Sequence, residues 1–331
     1  MPVLFVSQQV AERYVGDLER LGKQSAAGPL EVLVLPTGGT LDDAAAATID
    51  AAFVSVDMVN PTMDIRTFLD AMQRAPNLRW MHIGWAGTDS PFVQQFMDRN
   101  VTVSNSSGVT SEPIALSVIG GMLALYRGFP RWFDLQRRHI WEQSPQPDAP
   151  PDLRGQTLVV LGLGAIGGHV ARFARALGLY VIGVRRTPAT AADDIDEWAP
   201  PEKLLDVLAR TDWLVVTLPS TAATRQLIDA AAIAAMPRGA RIINVARGAI
   251  IDEKAMVEAL VEGHLGGAYL DVFETEPLPV DSPLWNLPNV IVSPHDSHPS
   301  KGNNARAEAI FFEELGIWLS GRQPSRVVQE R

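Results

Sequence analysis

The chain has 331 residues, 47% of them apolar and 20% charged, enough for two ordinary domains or one large one and too apolar for a mainly disordered chain. Its 28 Lys and Arg stand against 38 Asp and Glu, a net charge of −10 that offers no footprint for nucleic acid and is repelled by an anionic membrane surface. There is no Cys, which excludes disulfides, thiolate nucleophiles and zinc–thiolate sites.

Short apolar runs alternate along the chain with helix-length amphipathic segments. Strands are expected at Val3–Val6, Glu31–Leu35, Ala52–Val56, Trp80–Ile83, Val101–Val103, Thr157–Leu161, Tyr180–Val184, Trp213–Thr217, Arg241–Asn244, Ala268–Asp271 and Val290–Val292. Helical patterns lie between many of them, among them Gln9–Leu21, Ala165–Leu177, Glu253–Val261 and Ala305–Leu319. The alternation predicts an α/β fold with parallel sheets, and charge-free strand centres such as Leu158–Leu161 suit a sheet covered on both faces. The segment Ser144–Asp152 holds four prolines in nine residues and reads as a loop. The N-terminal run lacks the basic start and long apolar stretch of a secretory signal. The longest uncharged apolar run, Ile114–Tyr126, is too short for a bilayer and reads as a buried helix. A soluble, cytoplasmic protein is therefore expected.

Gly162-Leu-Gly164-Ala165-Ile166-Gly167 follows an apolar strand and opens an amphipathic helix, the context that gives G-x-G-x-x-G its meaning. The first Gly makes the tight turn, the second lets backbone approach a pyrophosphate, and the third lets helix and strand pack closely. The helix N-terminus then faces the anion. A dinucleotide is expected here. An acid for the ribose diol is expected about 20 residues on. Instead the next strand ends in Arg185-Arg186-Thr187-Pro188, with no acid before Asp193. A carboxylate repels a 2′-phosphate, whereas a guanidinium pairs with it in a charge-assisted fork. Arg185 and Arg186 therefore favour NADP(H), with NAD(H) left open.

Three later segments each place polar groups after an apolar strand: Asn244-Val-Ala246-Arg247-Gly, Asp271-Val-Phe-Glu-Thr-Glu276-Pro and Ser293-Pro-His295-Asp296-Ser-His298. In open parallel sheets sites lie outside the carboxyl ends of strands. The residue types suit hydride transfer at a carbonyl beside a carboxylate. Arg247 offers a planar fork to the carboxylate and keto oxygen. His295 can protonate the oxygen as hydride arrives and remove that proton in reverse. Glu276, paired with His295, would orient the ring and favour imidazolium. His295, Asp296 and His298 also leave a metal site open as a lesser reading, although no further His or Glu motif completes it; no metal is expected.

On these motifs, together with Leu153-Arg-Gly-Gln-Thr-Leu and Leu218-Pro219-Ser-Thr-Ala-Ala-Thr-Arg, the chain resembles the D-isomer-specific 2-hydroxyacid dehydrogenases over nearly its whole length. The resemblance points toward their NADPH-dependent glyoxylate and hydroxypyruvate reductases. It implies that Arg247, Glu276 and His295 are the catalytic set. It also implies that Asp271 and the backbone near Ala246 meet the nicotinamide amide, and that Pro219 lies along the cofactor. Trp85-Ala86-Gly87-Thr-Asp89 resembles the loop whose backbone N–H groups hold the substrate carboxylate.

The fold so implied has two Rossmann-like lobes: a parallel doubly wound sheet in the cofactor lobe, and a smaller flavodoxin-like substrate lobe. Residues 1–103 with 293–331 would form the substrate lobe and residues 104–292 the NADP-binding lobe. A homodimer is implied, with Arg127–Trp141 lying where a dimer arm would be, or else forming a plain exposed helix end. Arg185 stands where many relatives carry Asp; Asp296, His298, Leu116, Ser117 and Trp85 are departures that bear on substrate more than on reaction class. The expected activity is reduction of a small 2-oxo acid to the D-2-hydroxy acid. The alternative is a cofactor-sensing binding protein of the dehydrogenase-like corepressor type, without significant turnover.

Overall fold

The computed structural model describes residues 1–26, 28–59, 65–87, 90–144 and 149–328. It divides into two compact units, Met1–Val109 with Ser300–Arg331, and Thr110–Pro299. The boundaries expected from sequence, after residues 103 and 292, fall a few residues early. Ser104 and Asn105 still belong to a strand of the first unit, and residues 293–297 are tied by hydrogen bonds to a strand end of the second.

In the first unit, β1 (Val3–Ser7), β2 (Glu31–Leu35), β3 (Ala51–Val54), β4 (Trp80–Ile83) and β5 (Thr102–Asn105) form a parallel sheet in the order β2-β1-β3-β4-β5. This is the doubly wound order with its reversal at β1 and β3. Leu4 and Val6 of β1 face one apolar cluster, while Phe5 faces the other and stacks on Phe68 at 4.0 Å. That period of two is why the strand reads as unbroken apolar sequence. The helix expected at Gln9–Leu21 is instead two, Gln8–Arg13 and Val15–Gln24. Tyr14 leaves helical geometry between them; its ring packs on Phe312 and its hydroxyl donates to Glu308 of the C-terminal helix Asn303–Leu319.

In the second unit, β6 (Thr157–Leu161), β7 (Tyr180–Val184), β8 (Glu197–Ala199), β9 (Trp213–Val216), β10 (Arg241–Asn244), β11 (Gly267–Leu270) and β12 (Val290–Val292) form a parallel sheet ordered β12-β11-β10-β9-β6-β7-β8. The order reverses at β6 and β9, so a crevice opens at their carboxyl ends. Leu158 and Val160 pack into one apolar cluster, Val159 and Leu161 into the other, all but fully buried. β8 was not expected: three residues at a sheet edge, bounded by Asp196 and Pro200, carry too little pattern.

Ile114–Tyr126 lies within helix Ser111–Arg127, where Ala115, Val118 and Met122 are fully buried against the second unit's sheet. No single helix among the described residues is long and apolar enough to cross a membrane. Residues 145–148 of the proline-rich segment lie outside the described residues, as do Thr88 and Asp89 of the expected carboxylate loop.

Candidate active site

The glycine loop lies where the sheet order reverses. Gly162 follows β6 with φ 105°, a left-handed conformation that suits glycine, and its N–H donates to the Val184 carbonyl at 3.0 Å. A Cβ on Gly167 would overlap the Gly162 carbonyl, so only glycine allows this approach of helix to loop. Gly164 and Ala165 are exposed, and a Cβ on Gly164 would meet no atom within 4 Å. Gly164 is also the N-cap of helix Ala165–Ala176, with no side chain to satisfy the first N–H groups. Open space over uncapped donors fits a pyrophosphate. Ile166, half-buried, packs into the core. Across the crevice, Thr217 donates to the Gly162 carbonyl at 2.6 Å, and Pro219 is exposed just beyond β9.

The two arginines after β7 part company. Arg185 forks onto Asp193, with Nη1 to Oδ1 at 3.0 Å and Nη2 to Oδ2 at 2.6 Å, and it also donates to the Thr187 and Pro188 carbonyls. Its side chain is 22% exposed and that of Asp193 19%. Asp193 Oδ2 further accepts the Thr190 N–H and hydroxyl. These Thr190 bonds, first, and the Arg185 guanidinium hold the Asp193 carboxyl below the ordinary carboxylate range. Arg186 is exposed, with no ion pair among the described residues. Both arginines were expected at a phosphate; in this structure the fork of Arg185 lies on Asp193, while Arg186 is exposed.

Arg247, Glu276 and His295 all belong to loops leaving the carboxyl ends of three adjacent strands, β10, β11 and β12. Asn244, at the end of β10, accepts from the Ala246 N–H and donates to the Arg247 carbonyl, both at 3.1 Å. Arg247 Nη1 donates to the Ala246 carbonyl at 2.7 Å. A Cβ on Gly248 would overlap the Phe273 carbonyl and Glu274 nitrogen, so the Arg247 loop lies directly on the loop that carries Glu276. Glu276 accepts the Phe273 N–H on one oxygen at 3.1 Å and meets His295 Nδ1 with the other at 2.8 Å. Nδ1 facing a carboxylate fixes that nitrogen as the donor and leaves Nε2 for chemistry. The His295 side chain is 47% exposed and that of Glu276 35%, so water reaches both.

His295 has φ 53°, a left-handed conformation that a non-glycine residue keeps only when its surroundings hold it. Asp271 supplies that hold. Its carbonyl accepts the His295 N–H at 2.9 Å, and its buried carboxylate accepts the Ser293 hydroxyl at 2.5 Å, the Asp296 N–H at 2.8 Å and the Ser297 N–H at 3.2 Å. Asp271, expected to meet a nicotinamide amide, thus also holds the His295 loop in place. Ser117, one of the departures, donates to the Ser297 carbonyl at 3.0 Å and braces the same loop. Among the described residues no group of three or more His, Asp or Glu is placed to hold a metal ion.

The sequence reading missed Asn244, Gly248 and Ser293 as supports, although each sits in a motif it quoted. In the first unit, Trp85 packs against the core beside β4, Ala86 is exposed and Gly87 half-buried, and Asn105 Nδ2 donates to the Ala86 carbonyl at 3.0 Å.

The family model of the D-isomer specific 2-hydroxyacid dehydrogenase NAD-binding domain matches residues 119–297. The chain is 30% identical to a glyoxylate reductase of Korarchaeum cryptofilum, over 99% of this chain and 96% of that relative. It is 33% identical to a D-3-phosphoglycerate dehydrogenase of Methanocaldococcus jannaschii over 78% of this chain, but spans only 49% of that relative's length. The fold matches an NADPH-dependent glyoxylate/hydroxypyruvate reductase of Sinorhizobium meliloti, solved with NADP and sulfate, at TM-score 0.71 and 28% identity over 99% of this chain and 98% of that one. With the glycine loop and the paired His and Glu in place, the chain belongs to the D-isomer specific 2-hydroxyacid dehydrogenase family and is an NAD(P)-dependent oxidoreductase.

Proposed function

We propose that the protein reduces a small 2-oxo acid, such as glyoxylate or hydroxypyruvate, to the D-2-hydroxy acid with NADPH as the preferred cofactor. The observation that carries this reading is the 2.8 Å contact of His295 Nδ1 with Glu276, on a loop packed against that of Arg247. A nicotinamide cofactor, when bound, supplies hydride exchange. The backbone of Gly162, Gly164, Ala165, Ile166 and Gly167 would hold its pyrophosphate, with Pro219 and Ala246 along its length. Arg247 would bind the substrate carboxylate and polarise the keto oxygen. His295, as imidazolium, would give its Nε2 proton to that oxygen, while Nδ1–H stays on Glu276. The neutral ring then takes a proton from water or, in the reverse direction, from the alcohol. Trp85, Ala86 and Gly87 are proposed to contribute to carboxylate binding through backbone N–H groups. Preference for NADPH is supported by the exposed guanidinium of Arg186 and by the NADP bound in the Sinorhizobium meliloti relative.

The test is initial-rate oxidation of NADPH and, separately, NADH with glyoxylate, hydroxypyruvate, pyruvate, phenylpyruvate and 2-ketogluconate. Turnover that is faster with NADPH and favours the smaller acids is expected. No turnover with any pair would refute the reading and favour a binding protein. A homodimer is proposed as well, on the exposed aromatic side chains Trp132 and Phe133 of helix Phe129–Arg137 and Trp141 after it. Light scattering at the mass of one chain would refute it.

A further inference from the structure

We infer that Asp193 is a positioning residue for cofactor choice: by clamping Arg185 it fixes the loop from Arg185 to Asp193 so that Arg186 alone presents a guanidinium to a 2′-phosphate. The inference rests on the proposed preference for NADPH. Its ground is the division of labour after β7. Arg185 has four of its N–H contacts inside the loop: two to Asp193 and one each to the Thr187 and Pro188 carbonyls. Its backbone is held as well, since Trp198 of β8 donates to its carbonyl at 3.0 Å and its own N–H reaches the Ala199 carbonyl.

Asp193 closes the loop from the other end through the Thr190 N–H and hydroxyl, at 2.7 and 3.0 Å. Residues 186–189, between these anchors, are exposed. Such a clamp lowers the entropy that Arg186 would lose on ordering against a phosphate. It also neutralises an acid that would otherwise stand as an unpaired negative charge eight residues from Arg185. A side chain that binds no ligand thereby sets the affinity of the one that does.

The test uses calorimetric titration of the full chain with adenosine 2′,5′-bisphosphate and with AMP, which share the adenosine 5′-phosphate and differ at the 2′ position. The parent is expected to bind the bisphosphate more tightly. Arg186→Gln should lose about 10-fold or more in bisphosphate affinity and none for AMP. Asp193→Asn should lose about 3- to 10-fold for the bisphosphate with AMP unchanged, and Asp193→Glu, which keeps an acid for Arg185, should recover most of it. In turnover, Asp193→Asn should raise KM for NADPH and leave kcat at saturation alone. Unchanged thermal melting checks that the variants are folded.

Bisphosphate affinity that rises in Asp193→Asn would mean Arg185 is a phosphate ligand held back by the acid, and would overturn the inference. Affinity equal to the parent in Asp193→Asn, with Arg186→Gln still impaired, would also overturn it while leaving the NADPH reading intact. A parent that does not distinguish the two nucleotides would overturn both.

Discussion

Replacing Gly248 by Ala probes how the Arg247 loop is set. Gly248 is buried, and a Cβ there would fall inside the envelope of the Phe273 carbonyl and the Glu274 nitrogen. These are backbone atoms, which cannot turn aside as a flexible side chain would. Restoring an ordinary carbon–carbon separation of about 3.5 Å requires a movement of about 1.5 Å between the two loops. Overpacking of this kind costs about 1–3 kcal/mol of stability, which a folded two-unit chain survives. Activity is hit harder, because Arg247 rides on the displaced segment and a misplacement of about 1 Å costs about 100-fold. Gly248→Ala is therefore expected to lower kcat/KM for the proposed 2-oxo acid reduction by about 100-fold. Calorimetric affinity for adenosine 2′,5′-bisphosphate should stay at the parent value, because the glycines proposed to hold the nucleotide follow β6, two strands away from β10. A folded Gly248→Ala protein within threefold of the parent would show that contact with the Glu276 loop does not position Arg247.

Further outcomes can be stated. His295→Ala should reduce turnover by about 10²–10⁴-fold while binding of adenosine 2′,5′-bisphosphate is unaffected; near-normal turnover would remove His295 from proton transfer. The neighbouring glycines of helix Ser111–Arg127 should respond oppositely to Ala. Gly120 is exposed with nothing within 4 Å of an added Cβ, so Gly120→Ala should stabilise by about 0.5–1 kcal/mol, whereas Gly121→Ala drives a methyl into the Tyr269 ring and should destabilise. Urea unfolding decides, and a shared sign would refute the account. Buried His82, held by Ser104 and Ser106 at 2.8 and 2.9 Å, is lowered by desolvation and then by the Arg326 charge to about 3, from an ordinary 6.5. The unfolded chain then binds more protons in that window, so stability present above pH 6.5 is lost as pH falls toward 3. Between pH 6.5 and 5 His82 should account for about 1.6 kcal/mol of loss, and His82→Gln should show a shallower decline by that amount. Equal slopes in parent and variant would contradict a neutral buried ring.

Much of the second unit was legible because parallel strands buried on both faces are continuous apolar runs, and the glycine loop has a fixed place between strand and helix. The runs at Thr157, Tyr180, Arg241 and Val290 were read with the bounds the structure has. β8 was illegible because its pairing with β7, and not its own pattern, makes it a strand. The break at Tyr14 depends on Glu308, nearly three hundred residues away. The site shows the same division. The pairing of His295 with Glu276 could be anticipated from chemistry and order along the chain. What could not be read was which polar groups also face inward: the Asp271 carboxylate holds three donors of the His295 loop. Nor could the pairing of Arg185 with Asp193 across the loop be read. Sequence gives the donors and acceptors, and tertiary closure decides which pair with one another.

The order of the seven-stranded sheet separates two tasks. The loop after β7, with Arg186 and its Asp193 clamp, lies on one flank of β6; the loops after β10, β11 and β12 lie on the other. β7 and β10 are three strand spacings apart, about 14 Å at about 4.8 Å each. Substitutions that far apart with no shared partner usually combine additively in free energy. Changes at Asp193 and Glu276 should thus multiply in rate with almost no coupling. With the roles proposed for these loops, such an arrangement makes the enzyme evolvable in parts: a lineage can exchange one reductant pool for another by editing a surface loop, without retuning the proposed acid–base pair on the far side of the sheet.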